Sequence, residues 1–330
     1  MIGLNLGGAD GLGYHGPVTP SKAAPRVVVT GGAGFIGTHT VALLLAEGAR
    51  VLVIDDLRHS CGVEIPPEAD RVEAELSTPE ALTSLARFQP TAVLHLAAQG
   101  GVSRSLRDPA ADALNNVVAT LALLRAVVDA GRPRFVFASS GGAIYGRARR
   151  LPTSETAPAR PLAPYGAAKL AGEGYLGMFQ RTFKLSYAAL RYGNVYGPHQ
   201  DGTGEAGMVA ISCRRLLRGE PPRVTGTGEQ TRDFVYVGDV ARANLLALGA
   251  TAQGPINIGT GRPTSIITVA RTLAALAGIP AAPEFVPARP GEVPASYLDP
   301  ARARDRLGWT PQIPLEEGLK LTLESFRRAA

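Results

Sequence analysis

Between residues 26 and 193, short apolar runs alternate with stretches of helical periodicity. The runs are "RVVVT" (26–30), "RVLVID" (50–55), "RVEAEL" (71–76), "AVLHLA" (92–97), "RFVFASS" (134–140) and "SYAALRYG" (186–193). Most are continuously apolar rather than alternating, as expected of parallel strands covered on both faces. The segments 36–47, 79–88, 109–130 and 166–183 repeat their apolar residues every three or four positions and read as the intervening helices. This alternation predicts an α/β chain built on a doubly wound parallel sheet. Sites in such sheets lie beyond the carboxyl ends of the strands.

The pattern changes after residue 193. Glycine and proline become frequent, helices are isolated, and short strands such as "DFVYV" and "INIG" intrude before a last helix at 315–328. The expected organisation is a nucleotide-binding domain over 25–192, joined by about 234–262. A smaller lobe comprises 193–233 and 263–330. Residues 1–24, "MIGLNLGGADGLGYHGPVTPSKAA", lack the basic start and apolar core of a signal peptide and read as a loosely ordered extension. No run of eighteen apolar residues marks a membrane span.

"VVVTGGAGFIG" places Gly31, Gly34 and Gly37 between the first strand and the first helix. Glycines there permit a tight turn and a close approach to a pyrophosphate, which meets free N–H groups at the helix start. Asp55 and Asp56 end the second strand 18 residues beyond Gly37, where an acidic side chain hydrogen-bonds the ribose hydroxyls of NAD and repels the extra phosphate of NADP. Arg58 nearby weakens that preference somewhat. A Rossmann-type NAD site follows.

Composition adds little until the lysines are located. Of 34 basic side chains, only Lys22, Lys169, Lys184 and Lys320 are lysine. The +6 charge is scattered, forms no block interleaved with aromatics, and so argues against nucleic acid while suiting an anionic nucleotide. Cys61 and Cys213 stand far apart and no histidine has a ligand at metal spacing, so no metal is expected, and free thiols imply a cytoplasmic protein. Lys169 follows Tyr165 by four positions, on one face of a helix. A phenol titrates near pH 10, and about three units of lowering require roughly 4 kcal/mol of phenolate stabilisation. An ammonium and a nicotinamide cation are suited to supply it, and the compact lysine head also reaches a ribose where arginine is differently shaped.

The order "TGGAGFIG", "DD", "HLAA", "SSGGAIYG", "PYGAAK", "RYGNVYGP" and "RDFVYVGD" resembles the extended short-chain dehydrogenase/reductase family over about residues 25–328, and within it the UDP-galactose (UDP-glucose) 4-epimerases. The resemblance implies that Tyr165 takes the proton of the sugar 4-hydroxyl while hydride passes to NAD. The 4-keto sugar then turns over and takes hydride back, with Lys169 tuning the tyrosine. The family hydroxyl position falls on Gly141, so either the neighbouring Ser140 or water replaces it; Ser140 is the choice. Gly142 and Ala143 stand where 4,6-dehydratases carry an Asp-Glu pair, which speaks against elimination.

By the same resemblance the cofactor contacts are Gly31, Gly34, Phe35, Ile36, Gly37, Asp55, Asp56, Ser60, Glu75, Leu76, Leu96, Ala97, Ala98, Gln99 and Asn115, with Tyr165 and Lys169. The UDP-sugar contacts are Gly100, Ser140, Tyr165, Asn194, Arg232, Arg289, Glu292 and Ser296. Arginines suit the diphosphate. A small Ser296 and Gly100 imply a pocket roomy at C2, open to UDP-GlcNAc and UDP-GalNAc. The helices 109–130 and 166–183 resemble the family's four-helix homodimer interface. Two alternatives stand: another sugar nucleotide (UDP-glucuronate with Arg104 or Arg147, or a deoxysugar), or a non-catalytic NAD-binding regulator.

Overall fold

The computed structural model describes residues 24–203, 207–279, 282–288 and 292–329. Its strands in chain order begin with β1 (Arg26–Thr30), β2 (Arg50–Asp55), β3 (Asp70–Glu73), β4 (Ala92–His95), β5 (Arg134–Ser140) and β6 (Tyr187–Tyr192). There follow β7 (Asn194–Tyr196), β8 (Arg223–Thr225), β9 (Thr231–Arg232), β10 (Phe234–Tyr236), β11 (Gly254–Ile258), β12 (Thr264–Ser265), β13 (Glu284–Val286) and β14 (Ala295–Ser296). Seven of these form one parallel sheet in the order β11-β6-β5-β4-β1-β2-β3. The chain reverses direction between β1 and β4, which sets the switch point where a ligand binds.

Successive side chains of β1 point to opposite faces and enter separate cores. Val27 and Val29 pack with Val51, Val53 and Leu94 on one side. Val28 packs with Leu52, Val93, Phe135 and Phe137 on the other. Helix α1 (Phe35–Ala46) lies on the first face; α2 (Pro79–Phe88) lies on the second. The expected helix 109–130 is resolved into pieces. After α3 (Val102–Arg107), α4 (Pro109–Ala113) passes through a π turn at Leu114–Val118 into α5 (Ala119–Asp129). By length and apolarity 109–129 is long enough to cross a bilayer; here it packs against the sheet and against α7 (Pro164–Phe183), which follows the short α6 (Gly141–Ile144).

The second lobe packs α8 (Met208–Leu217), α10 (Ile266–Ala277) and α12 (Leu315–Ala329) around Val209, Cys213, Leu273, Leu319 and Leu323. Helix α9 (Val237–Gly249) runs back onto α1 and the large sheet. Within 234–262 the two short strands reach the first domain differently: "INIG" joins the main sheet as β11, while "DFVYV" sends Val235 into the first core without joining that sheet. Phe234–Tyr236 pairs instead with Asn194–Tyr196, because the chain leaving β6 has already turned into the lobe. The short α11 (Ala301–Leu307) completes the element list.

Candidate active site

The β1–α1 turn is shaped for an anion. Gly31 has φ +72°, and a Cβ there would fall 2.5 Å from the Ala97 nitrogen, so only glycine lets the turn sit against the end of β4. The N-cap of α1 is Gly34, with no side-chain cap, which leaves the N–H groups of its first turn, Phe35, Ile36 and Gly37, for a pyrophosphate. Asp55 accepts from Ala33 N at 3.0 Å and from Leu57 N at 2.9 Å, so it braces the turn from behind. Asp56 is held by Arg58, whose Nη2 lies 2.6 Å from Asp56 and 2.9 Å from Glu75. Thus the basic residue that clouded the NAD preference is occupied by two carboxylates. Ser60 closes the same loop, its N–H donating to Leu57 O. Leu76 packs beneath it at the edge of the second core.

Leu96 and Ala97 both donate from nitrogen to Thr30 O, which brings the end of β4 beside the glycine turn. Ala98 and Gln99 continue that chain, half-buried, to the exposed Gly100. Gln99 is pinned on both sides by Asn116: its N–H donates to Asn116 Oδ1 at 2.8 Å, and its carbonyl accepts from Asn116 Nδ2 at 3.1 Å. Asn115 makes a longer contact, 3.4 Å, to the Gln99 side chain. The NAD pocket fits the residues present: an open helix N-terminus, an acidic wall at β2 and a fixed strand end.

Tyr165, Lys169 and Ser140 meet at the carboxyl end of β5. The Ser140 hydroxyl lies close enough to the Tyr165 phenol to favour its ionised form. Gly141 has no room for a hydroxyl of its own, since a Cβ there would lie 2.5 Å from Leu298 Cδ1. The glycine at 141 therefore has a steric reason. Lys169 is 3% exposed, with Nζ 4.9 Å from the Phe137 ring centre and 5.8 Å from that of Tyr165. Burial lowers its pKa to about 8, opposed by Asp112.

The expected lowering of the tyrosine calls for two cations, the lysine and a nicotinamide, and the protein alone brings only the first. Burial, reinforced by the Asp112 charge, pushes the tyrosine up to about 12 against the Ser140 hydroxyl. The protein alone therefore keeps the phenol protonated at neutral pH. His95, which bridges Thr30 and Thr120 within the sheet, is driven by burial to about 3 and stays neutral.

Sequence reasoning passed over Asp112 and Asn116. Both are buried, and Asn116 Nδ2 donates to Asp112 Oδ1 at 2.9 Å. The available signal was a polar pair four positions apart on an otherwise apolar helix. Their site coincides with the π turn, a distortion frequent at functional sites.

The proposed substrate residues are contributed by two neighbouring parts of the lobe. Asn194 begins β7, and its Oδ1 would lie 3.5 Å from a Cβ at Gly142, beside Ser140. Arg232 on β9 pairs with Glu292 at 3.1 Å and donates to Val293 O. Ser296 on β14 is in register with Arg232. Arg289 lies outside the described residues. Arg104 hydrogen-bonds His59.

The glycine turn, the Tyr–Lys helix and the adjoining lobe define an NAD-dependent enzyme of the short-chain dehydrogenase/reductase kind. The model of the NAD dependent epimerase/dehydratase family matches residues 27–259, and this chain belongs to that family. A UDP-glucose 4-epimerase of Mycolicibacterium smegmatis is 43% identical over 310 residues, covering 92% of this chain and 98% of its own. The crystal structure of a Thermotoga maritima UDP-glucose 4-epimerase with UDP-glucose superposes with TM-score 0.90 at 44% identity, covering 92% and 99% of the two chains. A Thermus thermophilus UDP-glucose 4-epimerase in complex with NAD gives 0.87 at 42%, covering 92% and 100%.

Proposed function

We propose that this chain is a nucleotide-sugar 4-epimerase that interconverts UDP-glucose and UDP-galactose. The observation that carries the reading is the buried Lys169 with its Nζ 5.8 Å from the Tyr165 ring centre, beside Ser140 and next to the Asn194 and Arg232 strands. Ser140 and Tyr165 orient the sugar 4-hydroxyl, and Tyr165 takes its proton at the phenolic oxygen. A phenol held near 12 needs added positive charge before it ionises, so proton removal waits on a loaded site. Bound NAD supplies that charge, together with the capacity to accept hydride from C4 and return it. Lys169 positions the ribose side of the site and keeps a second cation near the phenol. Arg232 neutralises the diphosphate, with Arg289 as the second proposed cation. Glu292 holds the uridine ribose. Position 142 lacks a side chain and 143 carries only a methyl, so nothing there serves as acid or base for elimination.

The same reading extends to N-acetyl sugars. Gly100 opens on empty space and Ser296 is small, so the pocket has room at C2. Exposed Leu114, Val118 and Tyr175 on the 109–129 and 164–183 helices suit a homodimer. The unpaired Cys61 and Cys213 suit a cytoplasmic enzyme.

The test is incubation with UDP-galactose without added cofactor. UDP-glucose is expected at a ratio of a few to one, and UDP-GalNAc should likewise yield UDP-GlcNAc. If neither sugar is converted while denaturation releases NAD, the substrate reading fails and the fold reading stands.

A further inference from the structure

A chain of buried polar groups runs behind the site and touches both of its halves. Ser139, the neighbour of Ser140, donates to Glu173 Oε1 at 2.7 Å, four positions past Lys169 on α7. Arg191 on β6 grips the same carboxylate with Nε at 2.9 Å and Nη2 at 2.5 Å. Its remaining nitrogen donates to Tyr145 OH at 2.7 Å, and Tyr145 donates to Asn257 Oδ1 at 2.8 Å. Asn257 Nδ2 then donates to Thr153 O at 2.8 Å and Asp299 O at 3.2 Å. Asp299 lies three residues beyond Ser296, and its neighbour Leu298 occupies the space that a side chain at Gly141 would fill. Two further bonds close the circuit on the substrate side. Leu298 N donates to Asp233, next to Arg232, and Asp299 N donates to Thr153 O.

Each of these groups is nearly enclosed: Arg191 is 5% exposed, Tyr145 3% and Asn257 0%. Burying an ion pair and three hydrogen-bonding side chains is costly unless every partner is kept in place. Such a chain fixes relative position more than it adds stability.

We propose that Glu173, Arg191, Tyr145 and Asn257 are positioning residues that set the β14 substrate strand in register with the Ser140–Tyr165 pair. The Tyr145–Asn257 bond is the joint. On one side lies the helix that carries Tyr165 and Lys169. On the other lie the backbones that hold Leu298 and Ser296. A 4-epimerase must hold the sugar O4 at the same hydroxyl pair while each ring face in turn meets the hydride carrier, so slack in this joint harms the chemistry as well as binding. This inference rests on the nucleotide-sugar reading above.

The experiment uses the full NAD-loaded enzyme with Tyr145→Phe, Asn257→Ala and the double variant. For each, the kcat and KM for UDP-galactose and the Kd for UDP by calorimetry are measured. Each single variant is expected to lower kcat about 3- to 30-fold and to raise the UDP Kd to a similar degree, the range of coupling through packed networks. The double variant should lose less than the product of the two singles, because both cut the shared Tyr145–Asn257 bond of one network. A folded single variant with wild-type kcat overturns the proposal, and so do losses that multiply. Should Asn257→Ala fail to fold, Tyr145→Phe with Ser139→Ala decides by the same kcat criterion. If the wild type itself does not bind UDP, the nucleotide-sugar reading is what falls.

Discussion

Lys169 carries its charge at a cost. Packed against Phe137 and Tyr165 and almost wholly enclosed, it titrates near 8 in the folded protein against 10.5 as a free side chain. Below pH 8 both states are protonated and the folded state bears the full penalty, on the order of 3 kcal/mol at about 1.4 kcal/mol per unit. Between pH 8 and 10.5 the folded state sheds the proton first, so this penalty fades as pH rises. Lys169→Met should therefore raise the thermal midpoint of the NAD-free protein at pH 7 and raise it less at pH 10, while epimerase activity is lost. Calorimetric melts at the two pH values check the sign. A midpoint that falls at pH 7 would mean that Asp112 compensates the charge fully. The same accounting separates Tyr165 from Lys169: Tyr165→Phe removes no buried charge at neutral pH, so it should leave the midpoint little changed and cut kcat about 10²- to 10⁴-fold, as steady-state assays would show.

At the scale of elements, the β5–α6 turn shows how far sequence alone reached. The strand–helix alternation, the glycine turn and the Tyr–Lys face all follow from local periodicity and spacing, and each lies where the pattern put it. The closure of position 141 did not follow, because it depends on Leu298, which is 157 residues downstream of Gly141. Asp112 and Asn116 escaped for a similar reason: their meaning comes from Gln99 and from a π turn that no period of 3.6 announces. The pairing of 234–236 with 194–196 was not legible either, because a short apolar run does not name its partner. Gly141→Ser tests the turn directly. The added Cβ must displace the buried Leu298, with an expected loss of about 1–3 kcal/mol in denaturant titration. Leu298→Ala in the same chain should recover part of that loss, whereas an additive double variant would place the strain elsewhere.

For the molecule as a whole, the exposed apolar positions on the 109–129 and 164–183 helices lie on one packed layer. Bare apolar side chains of this kind cost free energy in water, and the proposed pairing of two copies would cover them. Val118→Glu or Leu114→Glu should halve the molar mass measured by light scattering, while the NAD content per chain stays the same because the cradle lies at the strand ends. A wild-type chain that already runs as a monomer would remove this interface.

The seat of Leu298 also bears on how this scaffold changes over evolutionary time. Position 141 is closed to any side chain, but a Cβ at Gly142 would meet nothing nearer than 3.5 Å, an ordinary contact. The two neighbouring glycines thus differ in what they permit: one is fixed by its surroundings and the other is a vacancy open to mutation. An acidic residue at 142 would arrive beside the hydroxyl pair without repacking the core. A lineage starting from this chain therefore has an uphill path to a new hydroxyl position, and a nearly level one toward the acid that elimination chemistry requires.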